Sequence, residues 1–184
     1  FGTVGRMAEV KNQLFLVNAF FELLDKHPEF NDRIRLLIVG DGILLKPAQK
    51  LVNDYYKQHH EKNSSVHFTG KTDKVAELLR LMNVFVLPSL AEGISNTILE
   101  SMASSLPVIA SNVGGDSELV QHNKTGFIVP VNDINTLKNT MKKYLDDPEL
   151  VSQQGQTGRK RVEDHFSLSG MINHYENVYQ KVVN

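Results

Sequence analysis

Several short runs of the chain consist entirely of apolar residues and do not alternate with polar ones. Such runs are too short for a buried helix, and a strand with one solvated face would alternate with period two. They therefore predict strands of a parallel sheet that is covered on both faces. The runs lie at residues 36–39, 84–87, 108–110 and 127–129, and residues 1–5 and 66–68 are predicted as further strands.

Longer segments between these runs repeat apolar residues at helical spacing. In the first of them Leu14, Val17, Phe21 and Leu24 fall on one face of a helix. Regular alternation of strand and helix predicts right-handed crossovers, and hence an α/β fold with a Rossmann-like open parallel sheet and helices on both faces. The helices are predicted at residues 12–27, 44–60, 73–81, 96–104 and 135–146.

The last part of the chain departs from this alternation, because no strand is predicted after Val129. One helix is predicted from Pro148 to near His165, and another over residues 168–182. We expect these helices to pack onto the sheet or to reach across to a part outside this chain. No repeat or linker is visible, so residues 1–184 are predicted to form a single domain.

Composition narrows the classes of function. The 184 residues include 20 Lys plus Arg and 21 Asp plus Glu. This balance argues against a protein that binds nucleic acid mainly through a large net positive charge. The chain has no cysteine, which excludes disulfides, thiolate metal sites and cysteine nucleophiles. No apolar run approaches the roughly 20 residues that span a bilayer. Because the chain begins at Phe1 within an apolar run, we expect it to be a piece of a longer protein.

In a parallel sheet the loops after the strands form the ligand site, and the loop after the first strand carries two cations. Gly5 and Arg6 follow that strand, and Lys11 stands where the first helix begins. An arginine can contact two phosphate oxygens at once, a lysine adds a mobile charge, and a helix start adds free N–H groups. These residues suit a diphosphate. From this loop alone we favour the alternative, that both are solvated surface cations, because most lysines and arginines are.

The loop after the fourth strand carries two carboxylates eight residues apart, Glu92 and Glu100. The following helix is predicted to start near Asn96, with Ser95 or Asn96 as its cap, so Glu92 lies in the loop and Glu100 within the helix. A carboxylate can accept two hydrogen bonds from a vicinal diol, and a span of roughly 12 Å separates a sugar from a ribose. A routine helix-dipole partner is the alternative for Glu92, but the spacing of a capping box does not fit Glu100. We therefore favour a binding role for this loop.

Two further loops carry glycines. Gly114 and Gly115 follow the strand at residues 108–110, and Asp116 after them is predicted to cap a helix. Gly40 and Gly42 form a Gly-x-Gly after the strand at residues 36–39, which indicates a tight turn rather than a dinucleotide site because the third glycine is missing. No Asp-x-Asp occurs, so a carboxylate-held divalent ion is not expected.

The order of these motifs resembles the carboxyl-terminal half of GT-B glycosyltransferases of family 4. The specific part is the Glu-x7-Glu segment, which Leu-Pro-Ser precedes and which Met-Ala and Pro-Val-Ile follow. The resemblance extends from Gly2 to about Asn132. The matching stretches are Gly5-Arg6 with Lys11, and residues 37–42, 68–70, 86–115 and 125–130.

The resemblance implies three catalytic residues. Arg6 and Lys11 would hold the diphosphate of a nucleotide sugar and stabilise it as the leaving group, and Glu92 would bind hydroxyls of the donor sugar. Glu100 would hold the ribose. The donor-binding residues that the resemblance implies are Gly5, Gly70, Lys71, Val75, Gly93, Ile94, Ser95, Asn96, Thr97 and Glu100.

One segment departs from the family pattern. Relatives often have Gly-Phe-Gly after the first glutamate, whereas this chain has Gly93, Ile94 and Ser95. A serine in place of the second glycine puts a hydroxymethyl group near the implied sugar position. There it either narrows the choice of donor or adds a hydrogen bond.

The resemblance implies a hexosyltransferase that retains configuration, needs no metal or other cofactor, and uses a nucleotide diphosphate sugar such as a UDP or GDP sugar. The acceptor, a glycan or a lipid-linked glycan, would bind through an amino-terminal domain that this chain lacks. The chain alone is therefore expected to bind donor weakly and to transfer nothing. The implied setting is cytoplasmic bacterial polysaccharide or glycolipid synthesis, with peripheral contact of the full-length enzyme at the inner face of the membrane.

Two other hypotheses about the function stay open. The same fold could serve a sugar epimerase or a phosphorylase, although no loop indicates the lysine-bound cofactor of a phosphorylase. A nucleotide-binding interaction module without catalysis is the alternative from a different class. The joint presence of Arg6, Lys11, Glu92 and Glu100 argues against such a loss of chemistry.

Overall fold

The computed structural model describes residues 1–59 and 64–183 and contains a six-stranded sheet. Every predicted strand is confirmed to within two residues at each end, because short runs of apolar residues can be buried on both faces only in a sheet of this kind. The strands are β1 Gly2–Val4, β2 Leu36–Val39, β3 Val66–Gly70, β4 Phe85–Leu87, β5 Val108–Ser111 and β6 Gly126–Val129.

All neighbouring strands are parallel, in the order β3-β2-β1-β4-β5-β6. The chain starts in the middle of the sheet, adds β2 and β3 on one side, and then crosses to build β4 to β6 on the other. β1 and β4 are therefore the strands where the winding direction reverses. The loops that follow them lead away in opposite directions and leave a crevice at the carboxyl end of the sheet.

Eight helices surround the sheet in the described residues. The predicted helices are confirmed, except that residue 60 of the segment predicted at 44–60 lies outside the described residues. Two 3-10 turns, Glu9–Lys11 and Pro28–Phe30, flank the first helix. The helices are α1 Gln13–Lys26, α2 Leu45–Gln58, α3 Val75–Leu79, α4 Asn96–Ala103, α5 Asp116–Leu119, α6 Ile134–Asp146, α7 Glu149–His165 and α8 Leu168–Val183.

Both faces of the sheet are buried, as the apolar strands predict. Val86 of β4 packs into a core with α1, α2 and α6, whereas its neighbours Phe85 and Leu87 point to the other face and pack with α3, α4 and α5. Ile38 and Ile109 extend the first core along the sheet. The Rossmann-like α/β fold class is thus confirmed, and the core leaves the carboxyl end of the strands free to carry a site.

The two terminal helices differ in their packing. α7 packs against α4 and α6, and Gly155 passes so close to the carbonyl oxygen of Ser105 that a Cβ there would overlap it. α8 instead exposes large apolar side chains, among them Tyr175, Tyr179 and Val182. No helix in the described part of the chain combines the length and the apolar character that crossing a bilayer requires.

Candidate functional site

The loop after β1 is locked against the loop after β2. Gly40 has φ +138°, and a Cβ at this position would overlap the carbonyl oxygen of Gly5. The carbonyl of Arg6 accepts a hydrogen bond of 3.0 Å from the Gln13 side chain, while the Arg6 side chain is exposed and no described hydrogen bond or ion pair holds it. The tight turn predicted at Gly40 to Gly42 is therefore confirmed, and it presents Arg6 at the edge of the crevice.

Lys11 and Glu92 meet across the crevice between β1 and β4. Lys11 Nζ donates to Glu92 Oε1 at 2.5 Å, and the Ser89 hydroxyl donates to the same oxygen at 2.6 Å. The Leu90 N–H also donates to the Val10 carbonyl at 2.8 Å, which ties the two loops together through the backbone. Two of the three residues predicted as catalytic are thus in direct contact, although 81 positions separate them in the sequence. Arg6 lies on the same loop as Lys11 but outside this pair.

The segment after Glu92 has the layout that the sequence predicts, with Glu92 in a loop and Glu100 in the second turn of α4. Gly93, Ile94, Asn96 and Glu100 are exposed, and Ile94 as a whole residue is 68% exposed.

Two members of this segment are turned inward instead. Ser95 occupies the cap position of α4 by its backbone, but its hydroxyl is buried and lies 3.0 Å from the Thr97 hydroxyl. Thr97 is half-buried, and its carbonyl accepts from Ser101 at 2.6 Å. The Ser95 hydroxyl therefore meets the Thr97 side chain and does not cap the helix, and Gly93 and Ile94 form the accessible part of the loop.

The segment predicted near a nucleotide base lies at the outer strand β3. Gly70 ends this strand with φ +70°, and no atom lies within 4 Å of the point where its Cβ would be. Its carbonyl accepts from the Gly40 N–H at 3.1 Å. Lys71 is exposed, and Val75 is the half-buried first residue of α3. This segment stands on the same side of the crevice as the β1 loop, beyond the turn at Gly40.

The glycine pair after β5 is required by contact with the β4 loop. Gly114 has φ +50°, and a Cβ on it would overlap the carbonyl oxygen of Glu92. The Gly115 N–H donates to the Gly93 carbonyl at 2.8 Å. The two loops are therefore pressed together backbone to backbone, and a side chain at Gly114 would displace Glu92.

Asp116 corrects one of the sequence predictions. Gly115 occupies the cap position of α5, and Asp116 is the first residue of the helix itself, so its side chain does not cap. A cap residue has to precede the helical turn and bond its N–H groups. The Asp116 side chain is instead completely buried, and neither carboxyl oxygen has a hydrogen-bond partner among the described residues. Burial, together with the nearby charge of Glu92, raises the pKa of Asp116 to about 7, against a smaller opposing effect of Lys11.

Two residues of this site were missed by the sequence analysis, Ser89 and Asp116. The Leu-Pro-Ser motif contains Ser89, but nothing in the motif indicates that its hydroxyl bonds Glu92. The glycines before Asp116 indicate that two backbones approach closely, but they do not indicate which loop lies against them.

Two other features of the described residues bear on the place of a site, the arrangement of possible metal ligands and a cavity away from the crevice. Within residues 1–59 and 64–183, no three His, Asp or Glu side chains converge into a group that could hold a metal ion. A cavity of about 550 Å³ opens at the opposite end of the sheet, lined by Phe1, Arg35, His67 and Tyr144 among others. None of the site residues predicted from the sequence lines that cavity.

Comparisons with known proteins agree with the architecture. The sequence model of the family described as glycosyl transferases group 1 matches residues 1–147. The chain is 30% identical, over 98% of its length, to N-acetyl-alpha-D-glucosaminyl L-malate synthase of Bacillus anthracis. It is also 30% identical, over 97% of its length, to the capsular polysaccharide biosynthesis glycosyltransferase CapM of Staphylococcus aureus, and it covers 45% of either relative.

Solved structures show the same fold. The crystal structure of Anabaena Alr3699/HepE in complex with UDP superposes with a TM-score of 0.83 at 19% identity, over 98% of this chain and 48% of the other. At that identity the likeness concerns the fold alone. The chain spans about half the length of the proteins that it matches.

Proposed function

The chain belongs to the glycosyl transferases group 1 family, and from this premise we propose that it is the donor-binding half of a glycosyltransferase. The full enzyme transfers a sugar from a nucleoside diphosphate sugar to a glycan or a lipid-linked acceptor. The observation that carries the proposal is the contact of Lys11 with Glu92, in the crevice where the winding of the sheet reverses and on the loop that also carries Arg6.

The chemistry of the site supports transfer from a diphosphate donor. Cleavage of the sugar–phosphate bond leaves growing negative charge on the diphosphate, and cations held in place beforehand stabilise that charge. Arg6 is exposed and bonds no described partner, and the Lys11 side chain is 22% exposed at the crevice, so both can meet phosphate oxygens without refolding. In this proposal they take the role that a metal ion has in other transferases, and the sugar keeps its configuration.

The remaining predicted residues take positions along the donor. Glu92 binds sugar hydroxyls through the carboxylate oxygen that Lys11 and Ser89 leave free, and the exposed Glu100 binds the ribose. The base lies along Gly70, Lys71 and Val75. The accessible backbone at Gly93 and Ile94 contacts the sugar and phosphate.

The relatives support a role in the synthesis of bacterial surface glycans. CapM is a capsular polysaccharide enzyme by name, and the Anabaena structure holds UDP. We propose a uridine or guanosine diphosphate sugar as donor. We place the reaction in the cytoplasm, with the full enzyme at the inner face of the membrane.

The length of the chain supports its role as one half of the enzyme. It covers 45% of its curated relatives, and a second domain would occupy the rest and bind the acceptor. The exposed apolar side chains of α8, such as Tyr175 and Tyr179, are suited to pack against that domain.

Calorimetric titration with UDP, GDP and ADP, followed by their common sugar conjugates, tests the donor site. Arg6→Ala combined with Lys11→Ala is expected to weaken nucleoside diphosphate binding by about 100-fold, since two charge-assisted contacts are lost. Lys50→Ala with Lys57→Ala on α2 removes the same charge from exposed positions and serves as the matched control, and melting curves verify that both variants fold. Binding that survives only in the control supports the site. Equal binding in both favours a module without this chemistry.

A transfer assay tests the division into halves. The chain supplied with donor and acceptor is expected to release no glycosylated product above the rate without protein, because the acceptor cannot be held against the donor. The matched control is the full-length enzyme under the same conditions. Product formed by the chain alone would contradict this part of the proposal.

A further inference from the structure

Asp116 occupies a position that the proposed donor chemistry does not use. The glycine pair before it packs on the backbone of Glu92 and Gly93, so the start of α5 is pressed against the loop that carries the proposed sugar-binding carboxylate. Its side chain is fully buried, and neither oxygen has a hydrogen-bond partner in the described part of the chain. A buried carboxylate without partners is costly, and such groups are rare away from functional sites.

The charges that act on Asp116 come from the donor crevice. Burial is the main cause that raises the pKa of Asp116 to about 7, the charge of Glu92 raises it further, and the charge of Lys11 opposes both. β5, against which α5 packs, carries no charged residue. Glu118 lies on α5 itself and Glu100 on α4, and from α7 Arg161 reaches α5, where it donates to the carbonyls of Glu118 and Leu119.

We propose that Asp116, buried as a neutral carboxyl behind the loop of Glu92, is a positioning residue that acts on the Glu92–Lys11 pair through its charge and weakens donor binding when it ionises. The proposal rests on the donor site proposed above and adds a control on its charge. With Asp116 neutral, the charges of Lys11 and Glu92 cancel. With Asp116 ionised, the three groups carry a net negative charge beside the place where Lys11 has to meet an anionic diphosphate.

The direction of the effect follows from Coulomb's law. An ionised Asp116 attracts Lys11 away from the phosphates and repels them directly, so affinity for a diphosphate donor falls as the pH rises through about 7. One added charge at this range, screened as in a protein near water, corresponds to a change on the order of fivefold in affinity. By linkage, a bound donor favours the proton on Asp116 to the same extent.

The test is the affinity for UDP-glucose, with GDP-mannose in parallel, measured between about pH 5.5 and about pH 8.5 for the chain and for Asp116→Asn. Nucleotide sugars are chosen because their phosphates are esterified, whereas the terminal phosphate of a free diphosphate titrates near pH 6. The variant keeps the shape of a neutral carboxyl. The ratio of the two dissociation constants is expected to be near one at low pH, and the unsubstituted chain is expected to bind about fivefold more weakly at high pH.

Asp32→Asn is the matched control, since it makes the same change at an exposed site before β2, at the opposite end of the sheet. Its ratio to the unsubstituted chain should not vary with pH. A flat ratio for Asp116→Asn, with measurable binding, overturns this inference and leaves the donor site standing. Absence of binding at every pH overturns the proposed donor site itself.

Thermal unfolding without ligand supplies a second readout. The pKa of Asp116 is raised in the folded chain from 3.8 to about 7, so the folded state keeps its proton while the unfolded state loses it. Asp116 therefore lowers stability progressively as the pH rises from about 4 to about 7, and the penalty is complete above that range. The melting temperature of Asp116→Asn should exceed that of the unsubstituted chain by a margin that grows across this window. A constant margin would overturn the assignment of a buried neutral carboxyl.

Discussion

Two lysine–carboxylate pairs in this protein have nearly the same geometry and opposite arrangements of exposure. Lys11 and Glu92 meet at 2.5 Å in the crevice, and Lys138 of α6 meets Glu22 of α1 at 2.7 Å. In the crevice the lysine is 22% exposed and the carboxylate 10%, whereas between the helices the lysine is 3% exposed and the carboxylate 42%. A ligand can contact only the member of an ion pair that is accessible to solvent. The first pair therefore presents a cation to the crevice, and the second keeps its cation inside.

The lysine of the second pair bonds two side chains. Lys138 also donates to Asn135 at 3.1 Å, and its hydrogen bond to Glu22 raises its pKa. It fastens α6 to α1, and its burial keeps it from meeting a ligand. Distance alone would not have separated the two pairs, so the difference lies in which loops and helices cover them.

The largest effect is expected from a substitution that displaces the backbone of Glu92 and so separates Glu92 from Lys11. Gly114→Ala requires a side chain at φ +50° and puts a methyl group where the carbonyl oxygen of Glu92 lies. We expect a loss of roughly 3 kcal/mol in the free energy of unfolding, measured by urea denaturation, together with loss of donor binding. Gly93→Ala is the control for stability, because no atom lies within 4 Å of its Cβ position. If the two variants were equally stable, the contact between the loops would not hold Glu92.

The next largest effects distinguish Lys138 from Lys11, because one substitution is expected to lower stability and the other to lower ligand affinity. Lys138→Ala is expected to cost about 2 kcal/mol of stability, less than a fully buried pair because Glu22 can be hydrated, and to leave nucleoside diphosphate affinity within about twofold. Lys11→Ala is expected to lower that affinity at least about tenfold, as measured by calorimetry. An affinity loss in Lys138→Ala that matched the loss in Lys11→Ala would contradict the distinction between the pairs.

The smallest effect belongs to a pair in which both partners are accessible. Lys142 and Asp146 lie one turn apart on α6 at 2.6 Å, with side chains 29% and 53% exposed. Lys142→Gln is expected to change the free energy of unfolding by no more than about 0.5 kcal/mol. Lys160→Gln on α7, an exposed lysine without a described partner, is the reference. A loss near that of Lys138→Ala would show that burial is not what distinguishes these pairs.

Much of the fold could be predicted because its signals are local. These signals depend only on neighbours a few positions away, as in the apolar run at residues 36–39 or the helical spacing of Leu14 and Val17. Each of these segments forms the strand or helix that its own pattern predicts. The site was partly predictable for a related reason. Loops after parallel strands converge at one edge of a sheet, so Lys11 and Glu92 could be expected near each other once their strands were recognised.

What the sequence determined by itself is the α/β alternation, the edge of the sheet that carries the loops, and the residue types able to meet a diphosphate and a sugar. Only the tertiary structure decided the contacts between distant segments: Ser89 on Glu92, Gly114 against the Glu92 carbonyl, and Asp116 buried behind them instead of capping its helix. Apolar periodicity reflects the burial of each segment and can be recognised from residues that are close together in the sequence. The environment of a buried carboxyl depends on which backbones approach it from elsewhere in the fold, and this depends on the packing of whole loops.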